Sequence, residues 1–462
     1  MADRTTPAYS TDVPLITFQD RSAGFATGQE SPVAFLDMCL DAIAARDGDV
    51  KAWVVLNGDG ARRAAEASEA RWRSGSQLSP IDGMPIGIKD LMDTKDMPTQ
   101  MGCQAYQGHQ PDQDAPIVAA LRDAGAIILG KTTTTELGGA FPSPTHNPFD
   151  ASRSPGGSSS GSAAAIGARM VPAALGSQVG GSIIRPASYC GTYALKPTQG
   201  AISRGTRLAY SGATYGVLAG SIEDMWLVAI EIANRIGGDP GCYALAGPAQ
   251  PPAAVKPQRI AIMETAGWQA LPQAARSAVE KIADDLARRG VTVLRRYHHP
   301  AIEEFEVAIQ RASEVLGMLA GWEARPGHLE LIARAPDKLS ARMKAGVERS
   351  GRMSVADYQR ALRLREQLQA AYAKLLTVVD GVISPSSPGP APAWVHNELG
   401  DTEPPMPTGD IVFNAPSSVL GVPAVTMPLA TVEGMPMGIQ FMTGPSRDAF
   451  AVAVARWINE AK

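Results

Sequence analysis

The residues best suited to chemistry in this sequence are serines that follow paired glycines. A glycine pair at 156–157 precedes Ser158, and a second pair at 180–181 precedes Ser182, with a short apolar segment between the two clusters. Consecutive glycines let backbone N–H groups turn towards a ligand, and such a cluster can bind an anion. A serine beside these groups could attack a carbonyl carbon while the N–H groups stabilise the oxyanion. A tight turn that selects serine for its small size is the alternative.

Lys89 is the candidate base for such a serine. It ends an apolar run, "MPIGIKDLM", in which a lysine is out of pattern. The six histidines stand in ordinary contexts and form no HExxH or HxH pattern, so neither a histidine base nor a metal site has support. A lysine can serve as the base if burial keeps it neutral, since its ordinary pKa is about 10.4. A strand-end lysine that reaches solvent is the alternative.

Other glycine-rich motifs fit poorly. Neither glycine pair is followed by lysine, so neither pair belongs to a GxxxxGK[ST] phosphate loop, and no Rossmann fingerprint occurs. Residues 157–161, "GSSSG", match the GxSxG elbow of α/β-hydrolases, but the preceding "NPFDASRSPG" is not the strand that this elbow requires.

The overall composition indicates a globular protein with a large core. The chain has 462 residues, of which 45% are hydrophobic and 19% charged, and its formal net charge is −4. Without a basic run, a nucleic-acid partner is not expected. Four widely spaced cysteines fit a reducing compartment, and neither a signal peptide nor a membrane span is predicted. We therefore expect a cytoplasmic protein that needs no membrane.

The elements that must position these residues alternate between helix and strand in the first half of the chain. Residues 31–46 predict a helix with Ser31 as N-cap, residues 84–88 a strand ending at Lys89, and "AIILG" a buried strand. This alternation indicates an α/β fold. Charged, alanine-rich helices dominate 255–380, and strand patterns return after 380. We predict one domain, 1–462, with 255–380 as a variable helical section that shapes the substrate pocket.

Three ordered segments resemble the amidase signature family. "GMPIGIKDLMDTKDMPTQMGC" is similar to its lysine segment, "SPGGSSSGSAAAI" to its first serine segment, and "ALGSQVGGSIIRPASYCGTYALKPTQG" to its nucleophile segment. The serines are 24 residues apart, and Lys89 lies 93 residues before Ser182. The C-terminal "NAPSSVLGVPAVTMPLATVEGMPMGIQFMTGPSRDAF" resembles the closing sheet region of the family. The resemblance implies a large twisted mixed β-sheet covered by helices on both faces.

The resemblance also implies a catalytic triad without a cofactor or metal. Ser182 would be the nucleophile, Ser158 would follow a cis peptide bond and relay protons, and Lys89 would be the base. The oxyanion would be bound by backbone N–H groups at Val179, Gly180 and Gly181, together with that of the nucleophile.

The nucleophile segment departs from the commonest family pattern, G-[ST]-D-x-G-G-S-[IV]-R-x-P. Gln178 replaces the aspartate, and the arginine lies one place later, at Arg185, as in the malonamidase-like branch. That resemblance implies substrate binding by Arg185, by the Ser177 hydroxyl and by Gln178 beside it. Pairing of Arg185 with a local acid, or capping of a helix by it, is the alternative.

Three functions remain open on the sequence. The first is a stand-alone hydrolase of amides, with aryl amides, esters and carbamates (urethanes) as further substrates. The second is the glutaminase subunit of a tRNA-dependent amidotransferase, which would need partner subunits. The third is a catalytically silent binding protein on the same fold. For the first function we expect a small-molecule amide or carbamate as partner, and a homodimer would be an ordinary assembly.

Overall fold

A single mixed sheet carries the segments that contain the predicted lysine and serines. The computed structural model describes residues 8–139, 141–205, 210–396 and 398–460, and over these residues the sheet has eleven strands. In chain order they are β1 Trp53–Leu56, β2 Pro85–Lys89, β3 Ile127–Thr132, β4 Ala173–Gln178, β5 Tyr193–Lys196, β6 Thr214–Ala219, β7 Arg259–Ile262, β8 Thr292–Leu294, β9 Gly381–Pro385, β10 Ala424–Val432 and β11 Met435–Met442.

The strand order is β1-β3-β2-β4-β6-β5-β10-β11-β9-β7-β8. β2 pairs in parallel with both β3 and β4, and β7 pairs in parallel with both β8 and β9. The remaining neighbours are antiparallel. The predicted large mixed sheet is therefore confirmed.

Fourteen α-helices surround the sheet in the part of the chain that the structure describes. They are α1 Gln19–Ser22, α2 Pro32–Val50, α3 Gly58–Ser74, α4 Pro116–Asp123, α5 Ser160–Gly167, α6 Ile184–Tyr189, α7 Ile222–Ile236, α8 Gln273–Arg288, α9 Pro300–Ile309, α10 Ala312–Arg334, α11 Ala341–Gly351, α12 Val355–Leu375, α13 Ala415–Leu420 and α14 Asp448–Asn459. Every residue of β2, β3, β6 and β11 is buried, as expected for strands that are covered on both faces.

The predicted helix at 31–46 forms, but it is longer than predicted. Ser31 has extended backbone, and its hydroxyl accepts a hydrogen bond of 3.1 Å from the N–H of Ala34, as the N-cap prediction requires. The helix continues to Val50 and ends where Lys51 adopts a left-handed conformation with φ of 55°. A left-handed residue closes many helices, and here a lysine takes the place of the usual glycine.

The predicted helical section at 255–380 contains α8 to α12, but it also contributes to the sheet. β7 and β8 form one edge of it, next to β9. Within the section, α10 packs against α11 and α12. These strands join the section to the main sheet, and the assignment of 1–462 to one domain stays a prediction.

Candidate active site

Lys89 is the last residue of β2, and its side chain is fully buried. Its Nζ lies 2.7 Å from Ser158 Oγ and 2.9 Å from Ser159 Oγ. The same atom lies 3.0 Å from Ser177 Oγ and 3.3 Å from the carbonyl oxygen of Ser177. The lysine therefore ends in a cluster of oxygen atoms and not in solvent.

The surroundings of Lys89 favour its uncharged form. Burial lowers the pKa of Lys89 well below its ordinary value, because the ammonium would lose its hydration. The carboxylate next to it in sequence, that of Asp90, lies 3.4 Å from the Nζ of Lys131, a second buried lysine. The carboxylate is thus engaged by another cation, and the amine of Lys89 can keep a lone pair that accepts a proton.

Ser158 lies just before α5 and is held through its backbone. The peptide bond between Gly157 and Ser158 is cis, as the resemblance implies. The carbonyl oxygen of Ser158 accepts hydrogen bonds from Thr134 Oγ1 at 3.1 Å and from the N–H of Thr135 at 3.3 Å. Both threonines follow β3, so the sheet fixes Ser158 on one side and Lys89 on the other.

Ser182 lies in the turn between β4 and α6 and is about one-tenth exposed. Its carbonyl oxygen accepts a hydrogen bond of 3.3 Å from the N–H of Ser159, which joins the two serine segments. The structure therefore brings Lys89, Ser158 and the Ser182 segment together, although they are far apart in sequence.

The backbone N–H groups of residues 179–182 are free to bind a ligand. In the part of the chain that the structure describes, none of these four groups donates a hydrogen bond to protein. Two carbonyl oxygens of this turn accept hydrogen bonds from protein groups. That of Gly180 accepts one from Ser418 Oγ at 3.3 Å, and that of Gly181 accepts one from the N–H of Arg185 at 2.9 Å. Free N–H groups on a turn whose carbonyl oxygens are occupied form a suitable site for an oxyanion.

Gln178 is bonded to protein groups at both ends of its amide. Its Oε1 accepts hydrogen bonds from the N–H groups of Ile183 at 2.9 Å and Ile184 at 3.1 Å. Its Nε2 lies 3.3 Å from Ser417 Oγ and 3.2 Å from Ser418 Oγ. The side chain is buried, and these bonds attach Gln178 to the residues that follow the turn at 179–182.

Arg185 is buried, and it donates to backbone and hydroxyl oxygens. Its Nη2 lies 2.7 Å from the carbonyl oxygen of Gly157 and 3.2 Å from Thr408 Oγ1, and its Nε lies 2.8 Å from the Thr408 carbonyl oxygen. Its Nη1 is buried and has no hydrogen-bond partner among the described residues. Burial lowers the pKa of Arg185. Among those residues no carboxylate lies within ion-pair distance of it, so the local acid that the sequence left open does not form such a pair.

The helical section reaches this site at two places. The carboxylate of Glu136, two residues after Thr134, accepts hydrogen bonds from the N–H of Ser340 at 3.0 Å and from the Ser340 hydroxyl. Ser340 is the N-cap of α11. A Cβ added at Gly180 would lie 3.7 Å from Leu316 Cδ2, so α10 approaches the turn at 179–182.

Ser159 and Glu136 lie at the candidate site without having been predicted there. Ser159 contacts Lys89 as closely as Ser177 does, and its only sequence signal is its place beside Ser158 in "GSSSG". Glu136 ends the run "KTTTTE" after a buried strand, where an acidic residue is out of pattern. Ser159 is bonded to a residue 18 positions away in sequence, and Glu136 to one 204 positions away. No local sequence pattern indicates either contact.

The family follows from a comparison with known sequences. A sequence model described as Amidase matches residues 34–451. The chain belongs to the amidase family. The resemblance that the lysine and serine segments carried is therefore confirmed, and the chain is a hydrolase of the C–N bonds of amides at the level of the family.

Curated relatives of this amidase-family chain cover nearly its whole length. A glutamyl-tRNA(Gln) amidotransferase subunit from Chloroflexus aggregans is 30% identical over 475 residues, which are 96% of each chain. The corresponding subunit from Myxococcus xanthus is 30% identical over 476 residues, again 96% of each chain.

Solved structures agree on the fold. A crystal structure of an amidase is 28% identical, with a TM-score of 0.82, and the match covers 96% of this chain and 99% of that one. A chain from a vestigial protein complex, described with the origins of an s-triazine catabolic enzyme, is 27% identical with a TM-score of 0.83 and coverage of 96% and 98%. A bacterial aryl acylamidase at 19% identity and a TM-score of 0.83 supports the fold alone.

In the described residues, every helix is too short or too polar to cross a bilayer.

Proposed function

We propose that this chain hydrolyses amides with a Ser-cisSer-Lys triad made of Ser182, Ser158 and Lys89. The observation that carries the proposal is the 2.7 Å contact between the fully buried Lys89 Nζ and Ser158 Oγ. A neutral amine hydrogen-bonded to a hydroxyl can act as the base for a serine nucleophile.

The proton path gives each residue of the triad one role. As Ser182 Oγ bonds to the substrate carbonyl carbon, its proton moves to Ser158 Oγ, and the Ser158 proton moves to Lys89 Nζ. When the C–N bond breaks, the leaving nitrogen takes a proton from Ser158, which regains one from the ammonium of Lys89. Water then attacks the acyl-enzyme and gives a proton to the same relay, and Ser182 regains its proton as the acid leaves.

The N–H groups of Val179, Gly180 and Gly181, with that of Ser182, would bind the oxyanion. Their support comes from the occupied carbonyl oxygens of the turn and from the bond between Gln178 and the start of α6. A single oxyanion donor contributes roughly 3 kcal/mol to transition-state stabilisation. Because this turn already holds its N–H groups free of protein partners, the site needs little reorganisation on binding.

Of the residues predicted to bind the substrate, Arg185 has the clearest capacity to donate a hydrogen bond to it. Its buried, unpartnered Nη1 can donate to a carbonyl or carboxylate oxygen, and such a charge-assisted bond is stronger than a neutral one. Gln178 is saturated by protein groups, so we propose that it supports the turn instead. An acidic substrate is therefore one arm of the test below.

Linear amides are the proposed substrate class, with aryl amides, esters and carbamates as further substrates. All four contain a carbonyl carbon that serine can attack, and the oxyanion formed is alike. The proposed partner is thus a small molecule, and neither a nucleic acid nor a membrane is proposed. We also propose that the protein is cytoplasmic and can form a homodimer.

A glutaminase subunit is the second candidate, favoured by relatives that are glutamyl-tRNA(Gln) amidotransferase subunits. Such a protein would release ammonia to partner subunits, and its activity without them would be low. Gln178, which replaces the aspartate of the commonest pattern, speaks for a separate branch of the family. A silent binding protein is the third candidate, and the intact triad speaks against it.

The deciding experiment is hydrolysis by the purified chain, first alone and then with added amidotransferase partner subunits. The panel comprises small amides, anilides, glutamine, malonamate-like acids, esters and carbamates, and Ser182→Ala is the inactive reference. Turnover of a small amide by the wild type and not by Ser182→Ala supports the proposal. Turnover restricted to glutamine, and only with partner subunits, supports the second candidate, while no turnover and no acylation of Ser182 supports the third.

A further inference from the structure

The amine of Lys89 has more oxygen neighbours than a neutral amine has hydrogens. Four oxygen atoms, those of the Ser158, Ser159 and Ser177 hydroxyls and the Ser177 carbonyl, lie within 3.3 Å of Nζ. A neutral amine offers two N–H donors and one lone pair. The proposed relay works only if that lone pair faces Ser158, so the other oxygens must take the N–H groups.

The hydrogen bonds of Ser159 make it an acceptor for Lys89. The Ser159 hydroxyl can donate to the carbonyl oxygen of Ser177 at 3.4 Å, which uses its single hydrogen. Its oxygen also accepts from the N–H of Ser177 at 3.3 Å. A lone pair of Ser159 Oγ is then left for an N–H of Lys89 at 2.9 Å.

Ser177 offers the second acceptor through its hydroxyl oxygen. Ser177 Oγ lies 3.0 Å from Lys89 Nζ, and its carbonyl oxygen, which can only accept, lies 3.3 Å from the same atom. Both atoms belong to β4, the strand next to β2 in the sheet. The sheet thus fixes this side of the amine.

We propose that Ser159 and Ser177 are positioning residues that accept the two N–H groups of neutral Lys89 and so point its lone pair at Ser158 Oγ. This inference rests on the proposed function and deepens it. It gives the Ser177 hydroxyl a role towards Lys89 in place of the substrate contact that the sequence predicted.

The same arrangement stabilises the ammonium that forms when Lys89 accepts a proton. An ammonium has three N–H donors, and the three hydroxyl oxygens of Ser158, Ser159 and Ser177 can accept them. A hydrogen bond to a charged donor is stronger than one to a neutral donor, so these hydroxyls raise the basicity of a buried amine that has no carboxylate partner among the described residues.

Charged groups on the neighbouring elements are occupied elsewhere. Asp90, after β2, and Lys131, on β3, form an ion pair of 3.4 Å. Glu136, in the segment after β3, is bonded to Ser340, and Arg185, beyond β4, to Gly157 and Thr408. Burial lowers the basicity of Lys89, and among the described residues the hydroxyl oxygens of Ser158, Ser159 and Ser177 contact its amine and can oppose that effect.

The test is the pH dependence of kcat/KM for a small neutral amide or ester in Ser159→Ala and Ser177→Ala. Loss of one acceptor destabilises the ammonium more than the neutral amine, so we expect the acidic limb to move by about one pH unit to lower pH. The plateau should fall about tenfold or more, since the base is weaker and less well oriented. Ser177→Thr keeps the hydroxyl and should restore the wild-type limb.

Ser160→Ala is the matched control. Ser160 is also buried at the start of α5, but its hydroxyl bonds Ser143 Oγ at 2.7 Å and the carbonyl oxygen of Thr133 at 3.3 Å. The Ser160→Ala variant should leave the acidic limb of the pH profile unchanged. An unmoved limb in both Ser159→Ala and Ser177→Ala would overturn the inference, as would an equal shift in Ser160→Ala.

A measurement without turnover separates this inference from the proposed function. The ¹³Cε signal of Lys89 can be titrated by NMR in the Ser182→Ala protein, with assignment by its loss in Lys89→Met. Addition of Ser177→Ala or Ser159→Ala should move the titration to lower pH even if the chain hydrolyses nothing. An unchanged titration in the folded double variants contradicts the inference, whatever the fate of the proposed activity.

Discussion

Arg185 Nη2 donates a hydrogen bond of 2.7 Å to the carbonyl oxygen of Gly157. This bond joins the residue three positions after the proposed nucleophile to the peptide group that precedes Ser158. The same guanidinium also bonds Thr408, in the segment before α13, so three separated parts of the chain meet at one buried cation.

Replacement of Arg185 should therefore affect neutral as well as acidic substrates. In Arg185→Met the Gly157 carbonyl oxygen loses a charged donor, and we expect kcat for a neutral amide to fall about tenfold to a hundredfold, because a bond to a charged group is worth about 1.5–3 kcal/mol. If Nη1 also binds a carboxylate, KM for malonamate-like acids should rise in addition.

Steady-state kinetics on a neutral and an acidic amide of similar size separate the two effects. Arg185→Lys keeps the charge without the planar fork and should recover only part of kcat. A variant with normal kcat on neutral amides would show that the bond to Gly157 is not needed to position Ser158.

The activity of the wild type should persist well below the pH at which an ordinary lysine becomes neutral. Burial lowers the pKa of Lys89, and a lower pKa means that the base form is present down to a lower pH. Activity is then lost as the pH falls through the pKa of the buried amine. A pH–rate profile of kcat/KM checks this, and Lys89→Met should be inactive over the whole range.

A profile whose acidic limb lies near the ordinary lysine pKa of about 10.4 would contradict the prediction. So would Lys89→Met with more than a few per cent of the wild-type rate, because the base would then be another group.

Gln178→Ala should destabilise the turn at 179–182. The change removes the acceptor for the N–H groups of Ile183 and Ile184, and each buried group left unsatisfied costs about 1–3 kcal/mol. Urea unfolding should show this loss of unfolding free energy, with reduced kcat and nearly unchanged KM. Gln178→Glu keeps the acceptor but loses the Nε2 donor to Ser418, and its stability should lie between those of the wild type and Gln178→Ala.

Glu136→Ala should loosen α11 from the segment that contacts Ser158. The carboxylate accepts two hydrogen bonds from Ser340, so the double variant with Ser340→Ala should lose less than the sum of the single losses in unfolding free energy. A double-mutant cycle from urea unfolding measures this coupling. Additive losses would show that the contact contributes nothing to stability.

The stability of the protein should fall between about pH 4 and pH 7 because of Asp224. Burial raises the pKa of Asp224 from its ordinary 3.8 to about 7, although the carboxylate accepts hydrogen bonds from the N–H groups of Phe18 and Gln19. A raised pKa means that the folded state binds the proton more tightly, so this stabilisation is complete below about pH 4 and is lost as the pH rises through about 7. At about 1.4 kcal/mol per pKa unit, the loss is on the order of 4 kcal/mol.

Asp224→Asn tests this prediction, since an amide does not titrate in that range. Its unfolding free energy should change less than that of the wild type between about pH 4 and pH 7. An equal pH dependence in the two proteins would assign the effect to other groups, of which Glu306, with a pKa raised to about 7, is the first to examine.

Local signals in the sequence were sufficient for many elements but not for their contacts. The Ser31 cap, the run before Lys89 and the buried strand in "AIILG" were predictable, because capping and apolar runs depend on near neighbours. The placement of β7 and β8 at the sheet edge was not, since pairing with β9 joins residues about 120 positions apart.

Three motifs that occur together in order led to the prediction of Lys89, Ser158 and Ser182 as site residues, and their roles stay a prediction. The distances between them were not predictable, and neither was the saturation of Gln178 by groups 239 and 240 residues away. Arg185 illustrates the limit best. Its position in the motif indicated substrate binding, whereas its bond to Gly157 depends on the path of a segment that comes 28 residues earlier in the chain.

The helix α5 leads the chain away from Ser159, and the strand β4 brings it back to Ser177. Both ends of this segment meet at the amine of Lys89, while the connection at 168–172 lies at the far end, roughly 12 Å away by the rise of an eight-residue helix. Extra residues inserted into that connection would lengthen the separation in sequence between Ser158 and Ser182 without changing the distance between them in space. The spacing of 24 is thus a property of how the chain turns around, and a relative with a longer spacing could keep the same chemistry.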